Sequence, residues 1–197
     1  MGRSVSLLEH LVVKAREKEM VPRQFDLIMS SIFTNRVGKA AFRGFVDDAL
    51  TRGMSRQLVA PVGFLDNRIT RFLDQRNVRL GNHNIIILES KLVNGKKYRA
   101  RHTRQGNAPA AGDWHNLMDW MMSAPVYWDG KGLIYLASLG GNRFMKIAVD
   151  INLIGQNHRG MRFLLPKVDT MYVLDLAGAA DRGRNEHNRI VNMQRVR

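Results

Sequence analysis

The chain has 197 residues, 45% of them hydrophobic and none of them cysteine, with 31 Lys and Arg against 17 Asp and Glu and a formal net charge of +14. That apolar fraction over this length supports one or two compact domains and excludes a chain disordered throughout, while the lack of thiols excludes a disulfide framework and a thiolate metal site. A surface so basic concentrates phosphate around itself and gains entropy by releasing condensed counterions, so nucleic acid, RNA or DNA, is the expected partner ahead of a membrane surface.

The longest strictly aliphatic run is Ile85 to Leu88, far short of the roughly 20 residues of a membrane-spanning helix. No span is expected. Leu7 and Leu8 are followed at once by Glu9 and His10, which interrupts the apolar core a signal peptide needs.

The first 80 residues read as a helical module. Ser6 and Glu9 have the spacing of a capping box, with Leu7, Leu8, Leu11, Val12 and Ala15 at helical intervals behind them. Pro22 opens a second helix, in which Phe25, Ile28, Met29, Ile32 and Phe33 form one apolar stripe that Gly38 is expected to stop. Phe42, Phe45, Val46, Ala49 and Leu50 form another stripe ahead of Gly53. Beyond Pro61 and Gly63, a fourth stripe of Phe64, Leu65, Ile69, Phe72 and Leu73 completes a bundle whose polar faces carry Arg68, Arg71, Arg76 and Arg79.

The pattern changes near Gly81. Asn84 to Leu88 reads as a buried strand, and the Asn94-Gly95 pair favours a hairpin after it, although Glu89 to Val93 also fits a short helix. A Gly/Ala/Pro loop from Gly106 to Gly112 leads to Asp113, a good N-cap for a helix bearing Trp114, Leu117, Met118 and Met121. Strands are expected over 126–129, 133–138 and 144–153, joined by Gly-rich turns short enough to force antiparallel pairing. Residues 161–165 and 170–176 add two more, with Pro166 at an edge or bend. From Ala177 onward little remains to bury, and residues 179–197 read as a basic flexible tail. The expected fold class is α+β: an N-terminal helical bundle (1–80), then a small antiparallel sheet domain with one or two helices (81–178).

Chemistry concentrates between Lys91 and Arg104, where Lys91, Lys96, Lys97, Arg99, Arg101 and Arg104 occur with no acid from Ser90 through Gly112. In an extended strand Lys97, Arg99 and Arg101 share one face and present a ladder of charge to a phosphate backbone; an edge strand protected by charge has the same pattern. Arg159 and Arg162 are further candidates for nucleic-acid contact. His102 lies among these cations, which favour its neutral, proton-accepting form, and His115 is a second candidate. No HExxH motif, phosphate loop or carboxylate cluster is present, so neither a metal site nor another cofactor is expected. RNA can be cut without metal, because its own 2′-hydroxyl attacks the neighbouring phosphate once a base removes the proton and cations meet the added charge.

Four motifs then follow in order: Asp113-Trp114-His115-Asn116-Leu117, Pro125-Val126-Tyr127-Trp128-Asp129, Leu133-Ile134-Tyr135-Leu136, and Lys146 to Asn152. Over about residues 81–176 this pattern resembles the phage-associated nucleases of the barnase, EndoU, colicin and RelE superfamily. The resemblance implies a metal-independent ribonuclease with His102 as proton acceptor, Arg99, Arg101 and Lys146 facing the phosphate charge and Thr170 bonding the phosphate. Its order of His before Arg and Lys is not reproduced here. Location in a virion or the host cytoplasm is implied with it; contact with other virion proteins and assembly of several copies go instead with a non-enzymatic virion role. Two other readings stand beside it: a non-enzymatic virion protein lying against packaged DNA, and a DNA-binding regulator using the second and third helices as a helix-turn-helix.

Overall fold

The computed structural model describes residues 22–53, 56, 58–78, 83–93, 105–151, 154–156, 162–164, 166–178 and 181–197. Helix α1 (Pro22–Thr34) begins at the expected proline and buries Met29 and Phe33. It ends at Asn35, whose side chain accepts a hydrogen bond from the Val37 N–H and so starts α2 (Arg36–Arg52). The expected stop at Gly38 is therefore displaced to the residue that can cap. Gly38 instead lies in the first turn of α2, where a Cβ would come within 3.1 Å of the Ile32 carbonyl oxygen. Phe42, Phe45, Val46 and Ala49 form the buried stripe of α2, and Gly53, at φ +66°, closes it as expected.

The next segment departs from the helical reading. Val59–Phe64 is strand β1, paired antiparallel with β2 (Asn84–Leu88), and its register shifts between Pro61 and Gly63. An apolar run broken by Pro61 suits a sheet edge, where a missing N–H is tolerated, and β1 is an edge strand. Helix α3 (Asn67–Asp74) starts after Asp66, which accepts from the Ile69 N–H, and buries Ile69 and Leu73. Glu89–Val93 is helix α4, not the second arm of a hairpin. The reason is tertiary: Leu92 and Val93 join the core, and the fully buried Glu89 carboxylate accepts from Arg52 Nη1 at 2.8 Å and from the Arg56 N–H at 2.5 Å. Burial alone would push that carboxyl up, but Arg52 and the N–H groups of Arg56 and Leu58 outweigh it and hold it below the usual range. Asn94-Gly95 and the Ser6/Glu9 box lie outside the described residues.

Helices α5 (Ala111–His115) and α6 (Leu117–Ser123) follow. The first starts two residues ahead of the expected cap, with Asp113 inside its first turn accepting from the Ala110 N–H. Then come β3 (Val126–Trp128), β4 (Gly132–Gly140), β5 (Arg143–Asp150), a small ribbon of β6 (Ile154–Gln156) and β7 (Arg162–Leu164), and β8 (Lys167–Asp175). The expected flexible tail is folded as α7 (Arg182–Val191) and β9 (Gln194–Arg195). Two of its apolar residues, Ile190 and Val196, are buried, although Val191 stays exposed, and β9 pairs with β3.

Among the described residues, seven strands form one sheet in the order β1-β2-β8-β5-β4-β3-β9. The architecture is α+β and the sheet is mostly antiparallel, with one parallel contact between β2 and β8. One face carries Leu133, Tyr135, Met145, Ile147, Met171 and Val173 into a core shared with α1, α2, α3 and α6. That core joins residues from both sides of the boundary expected near residue 80. The other face carries Tyr127, Ile134, Leu136 and Leu174 against Ile190 of α7 in a second, smaller cluster. Burial on both faces explains why Leu133 to Ala137 reads as a continuous apolar run instead of an alternation.

Two glycines separate packing from propensity. A Cβ at Gly183, in the first turn of α7, would sit 2.2 Å from the Asp175 carbonyl oxygen, whereas one at Gly44, exposed in α2, would meet nothing within 4 Å. Gly183→Ala should lose about 1–3 kcal/mol of stability through this clash with backbone. Gly44→Ala should gain about 0.5–1 kcal/mol by restricting the unfolded chain. Urea denaturation of the two variants checks both signs.

Candidate nucleic-acid interface

Of the residues expected to contact phosphate, Lys96, Lys97, Arg99, Arg101, His102, Arg104 and Arg159 lie outside the described residues. Arg162 opens β7, where only its backbone is described. The others are placed. Lys91, on α4, is paired with Asp169 at 2.9 Å. Asp169 is the extra residue where the β5–β8 register shifts, between Val168 opposite Val149 and Thr170 opposite Ala148. Close by in sequence, Lys167 is held below the ordinary lysine range by burial and by the charge of Lys91, with Asp169 and Asp150 opposing.

Lys146 and Thr170 come to adjacent strands. Lys146 lies opposite Tyr172, and two pairs along Ala148 lies opposite Thr170, so the four share a stretch of one sheet face. Lys146 is only 8% exposed. Its Nζ donates to Tyr172 Oη at 2.9 Å and to Glu186 Oε1, on α7, at 2.5 Å. Arg189 closes the group from one turn further along, its Nε and Nη2 donating to the two oxygens of Glu186 at 3.0 and 2.7 Å. His187 lies with its ring 4.5 Å from that of Phe144. The ammonium expected to face a phosphate thus holds α7 to the sheet. Glu186, Arg189 and His187 lie in the stretch expected to be a flexible tail, and the sequence signals for this cluster are the i, i+3 spacing of Glu186 and Arg189 and the apolar Ile190 beside them.

His115 lies at the surface with Nε2 2.7 Å from Asp47 Oδ1. Among the described residues, no group of three or more His, Asp or Glu is arranged to hold a metal ion, and no helix is long and apolar enough to cross a membrane.

A cleft of about 700 Å³ opens beside α3. Phe64, Phe72 and Met122 give it an apolar lining, and Arg68, Arg71 and Arg197 give it charge. Arg197 is committed to the fold: it pairs with Asp66 at 2.9 Å and donates to the carbonyls of Met121 and Ala124. Arg68 and Arg71 are exposed, three residues apart and hence on one side of the helix. Arg76 stacks 3.6 Å above the Phe72 ring and bonds Gln194 of β9 at 2.5 Å, while Phe72 meets Trp128 in an edge contact at 5.9 Å. The sequence puts Arg68, Arg71 and Arg76 on polar faces and Phe64 and Phe72 in one apolar stripe, but not Trp128 against Phe72, because Trp128 comes from a strand more than fifty residues on.

Hydrogen bonds from Arg189, and then from Lys146, outweigh burial and pull the Glu186 carboxyl down to about 2. A carboxyl depressed in the folded state adds stability that is present above its unfolded pKa, near 4.5, and is lost as the pH falls toward 2. Glu186→Gln should therefore be less stable than the parent at pH 7, with the gap closing between about pH 4.5 and 2. Thermal melts across that range check the convergence.

No family model, no curated protein and no solved structure matches this chain.

Proposed function

We propose that this protein binds nucleic acid through its phosphates in a phage-associated setting, in a virion or the host cytoplasm. The observation that carries the reading is the disposition of charge. Asp48, Asp66, Glu89, Asp119, Asp169, Asp181 and Glu186 are each engaged with a cation of the fold, and Asp113, Asp129 and Asp175 accept from backbone N–H groups. Arg36, Arg43, Arg68, Arg71, Arg143, Arg182 and Arg195 meanwhile stand exposed. These carboxylates are matched by contacts within the fold while these seven guanidinium groups are in no ion pair among the described residues, which leaves a surplus of cations able to exchange counterions for phosphates.

The resemblance to phage-associated nucleases extends this reading to RNA cleavage without metal. In that reaction the 2′-hydroxyl loses its proton to His102 and attacks phosphorus, the bond to the 5′-oxygen breaks, and the departing oxygen regains a proton. Arg99 and Arg101 meet the charge of the phosphorane and Thr170 bonds a phosphate oxygen. Lys91, Lys96, Lys97, Arg104, Arg159 and Arg162 hold the strand. Lys146 contributes only as a charge already shared with Glu186 and Tyr172.

That same engagement of Lys146 favours a second reading, in which the protein is a non-enzymatic virion component against packaged DNA and its N-terminal helices dock on other virion subunits. Incubation with total RNA in chelator, beside His102→Ala, separates the two. The ribonuclease reading expects cleavage that falls at least about 100-fold in the variant while RNA affinity stays within about twofold. Intact RNA throughout, with strongly salt-dependent binding to any duplex, is the outcome of the virion reading. Undiminished cutting by the variant removes His102 from the reaction.

A further inference from the structure

We infer that the cleft beside α3 takes a single-stranded segment of nucleic acid, with backbone phosphate on Arg68 and Arg71 and an unpaired base against the apolar floor. This rests on the nucleic-acid reading above and narrows it to a place and a substrate form.

The guanidinium groups within the cleft are of two kinds. Arg197 is fully engaged by Asp66 and two backbone carbonyls, so it shapes the wall and has little left to offer a ligand. Arg68 and Arg71 have no ion pair among the described residues and project from the exposed side of a helix whose other side is anchored by Ile69 and Leu73. Two guanidinium groups less than one turn apart can grip one phosphodiester or two successive ones.

The floor decides between duplex and single strand. A duplex presents phosphates on a broad convex surface and keeps its base faces stacked, so it has no use for a recess lined by Phe64, Phe72 and Met122. A single strand exposes base faces, and a positively charged groove with aromatic side chains is the arrangement that captures them without regard to sequence. Phe72 is held rigid by Arg76 on its ring and by the edge of Trp128, so little side-chain entropy remains to be lost on stacking. The rim also offers Gln75 beside the arginines, a group able to pair with base edges. At about 700 Å³ the recess has the size of a site for one or two small planar groups.

The test uses fluorescence anisotropy of a labelled oligouridine strand and of a DNA hairpin duplex of equal phosphate number, both in chelator over a salt series. Wild type should bind the single strand more tightly than the duplex at equal salt. Arg68→Gln with Arg71→Gln should weaken single-strand binding at least about 10-fold and shrink its log K against log salt slope by about 1.4, two contacts at about 0.7 each. Ser30→Phe, which places a ring into the cleft from α1 and leaves both arginines present, should weaken the single strand selectively over the duplex. Unchanged melting temperatures separate these losses from misfolding. Full single-strand affinity in both folded variants overturns the cleft assignment but leaves the nucleic-acid reading intact, as does displacement of the strand by an equally charged polyglutamate peptide. No binding of either probe by wild type overturns both.

Discussion

The sheet must be covered on both faces, and its two covers are unequal. One is a broad apolar core built from α1, α2, α3 and α6. The other, over β4, β5 and β8, is a single polar helix, α7, which contributes one fully buried apolar side chain, Ile190. So small an apolar contact holds a ten-residue helix weakly by hydrophobic burial alone. The ionic group of Lys146, Glu186, Arg189 and Tyr172 supplies the rest, and the close approach of Gly183 to the Asp175 carbonyl sets how near the helix can lie. A buried ion pair is costly to desolvate and costlier still to break on one side, which fits a role in fixing position more than in adding net stability.

Because α7 lies on that face, the part of the sheet that carries Lys146 and Thr170 is not an open platform. Lys146 is engaged and Thr170 sits beside it at half-burial. Open positive surface is found elsewhere, along α3, where Arg68 and Arg71 flank an aromatic recess completed by Val196 and Arg197. The C-terminal segment thus closes one face with α7 and then builds a wall of the cleft, a link between the two regions that runs through β9 and its pairing with β3.

Glu89 shows the same principle in the first half of the chain. Its carboxylate ties α2, the stretch before β1 and the start of α4 together through Arg52, Arg56 and Leu58. Removing Arg52 would leave the Glu89 charge in the interior with only backbone N–H groups to meet it, so this one contact couples the three elements.

Much of the local structure was legible in the chain itself. Pro22 begins α1, the Phe42 to Ala49 stripe and Gly53 define α2, and the Gly-rich turns at 130–132 and 140–142 force the antiparallel strands they join, because each depends on backbone geometry or periodicity within a few residues. What required the tertiary structure were elements whose stability comes from distant partners. β1 exists because β2 supplies its hydrogen bonds, α4 because Arg52 receives Glu89, and α7 because Lys146 receives Glu186. The excess of positive charge could likewise be counted from composition, but which arginines face outward could not. That depends on where each acid of the fold comes to rest, and such pairing joins residues far apart in sequence, as Asp66 and Arg197 do.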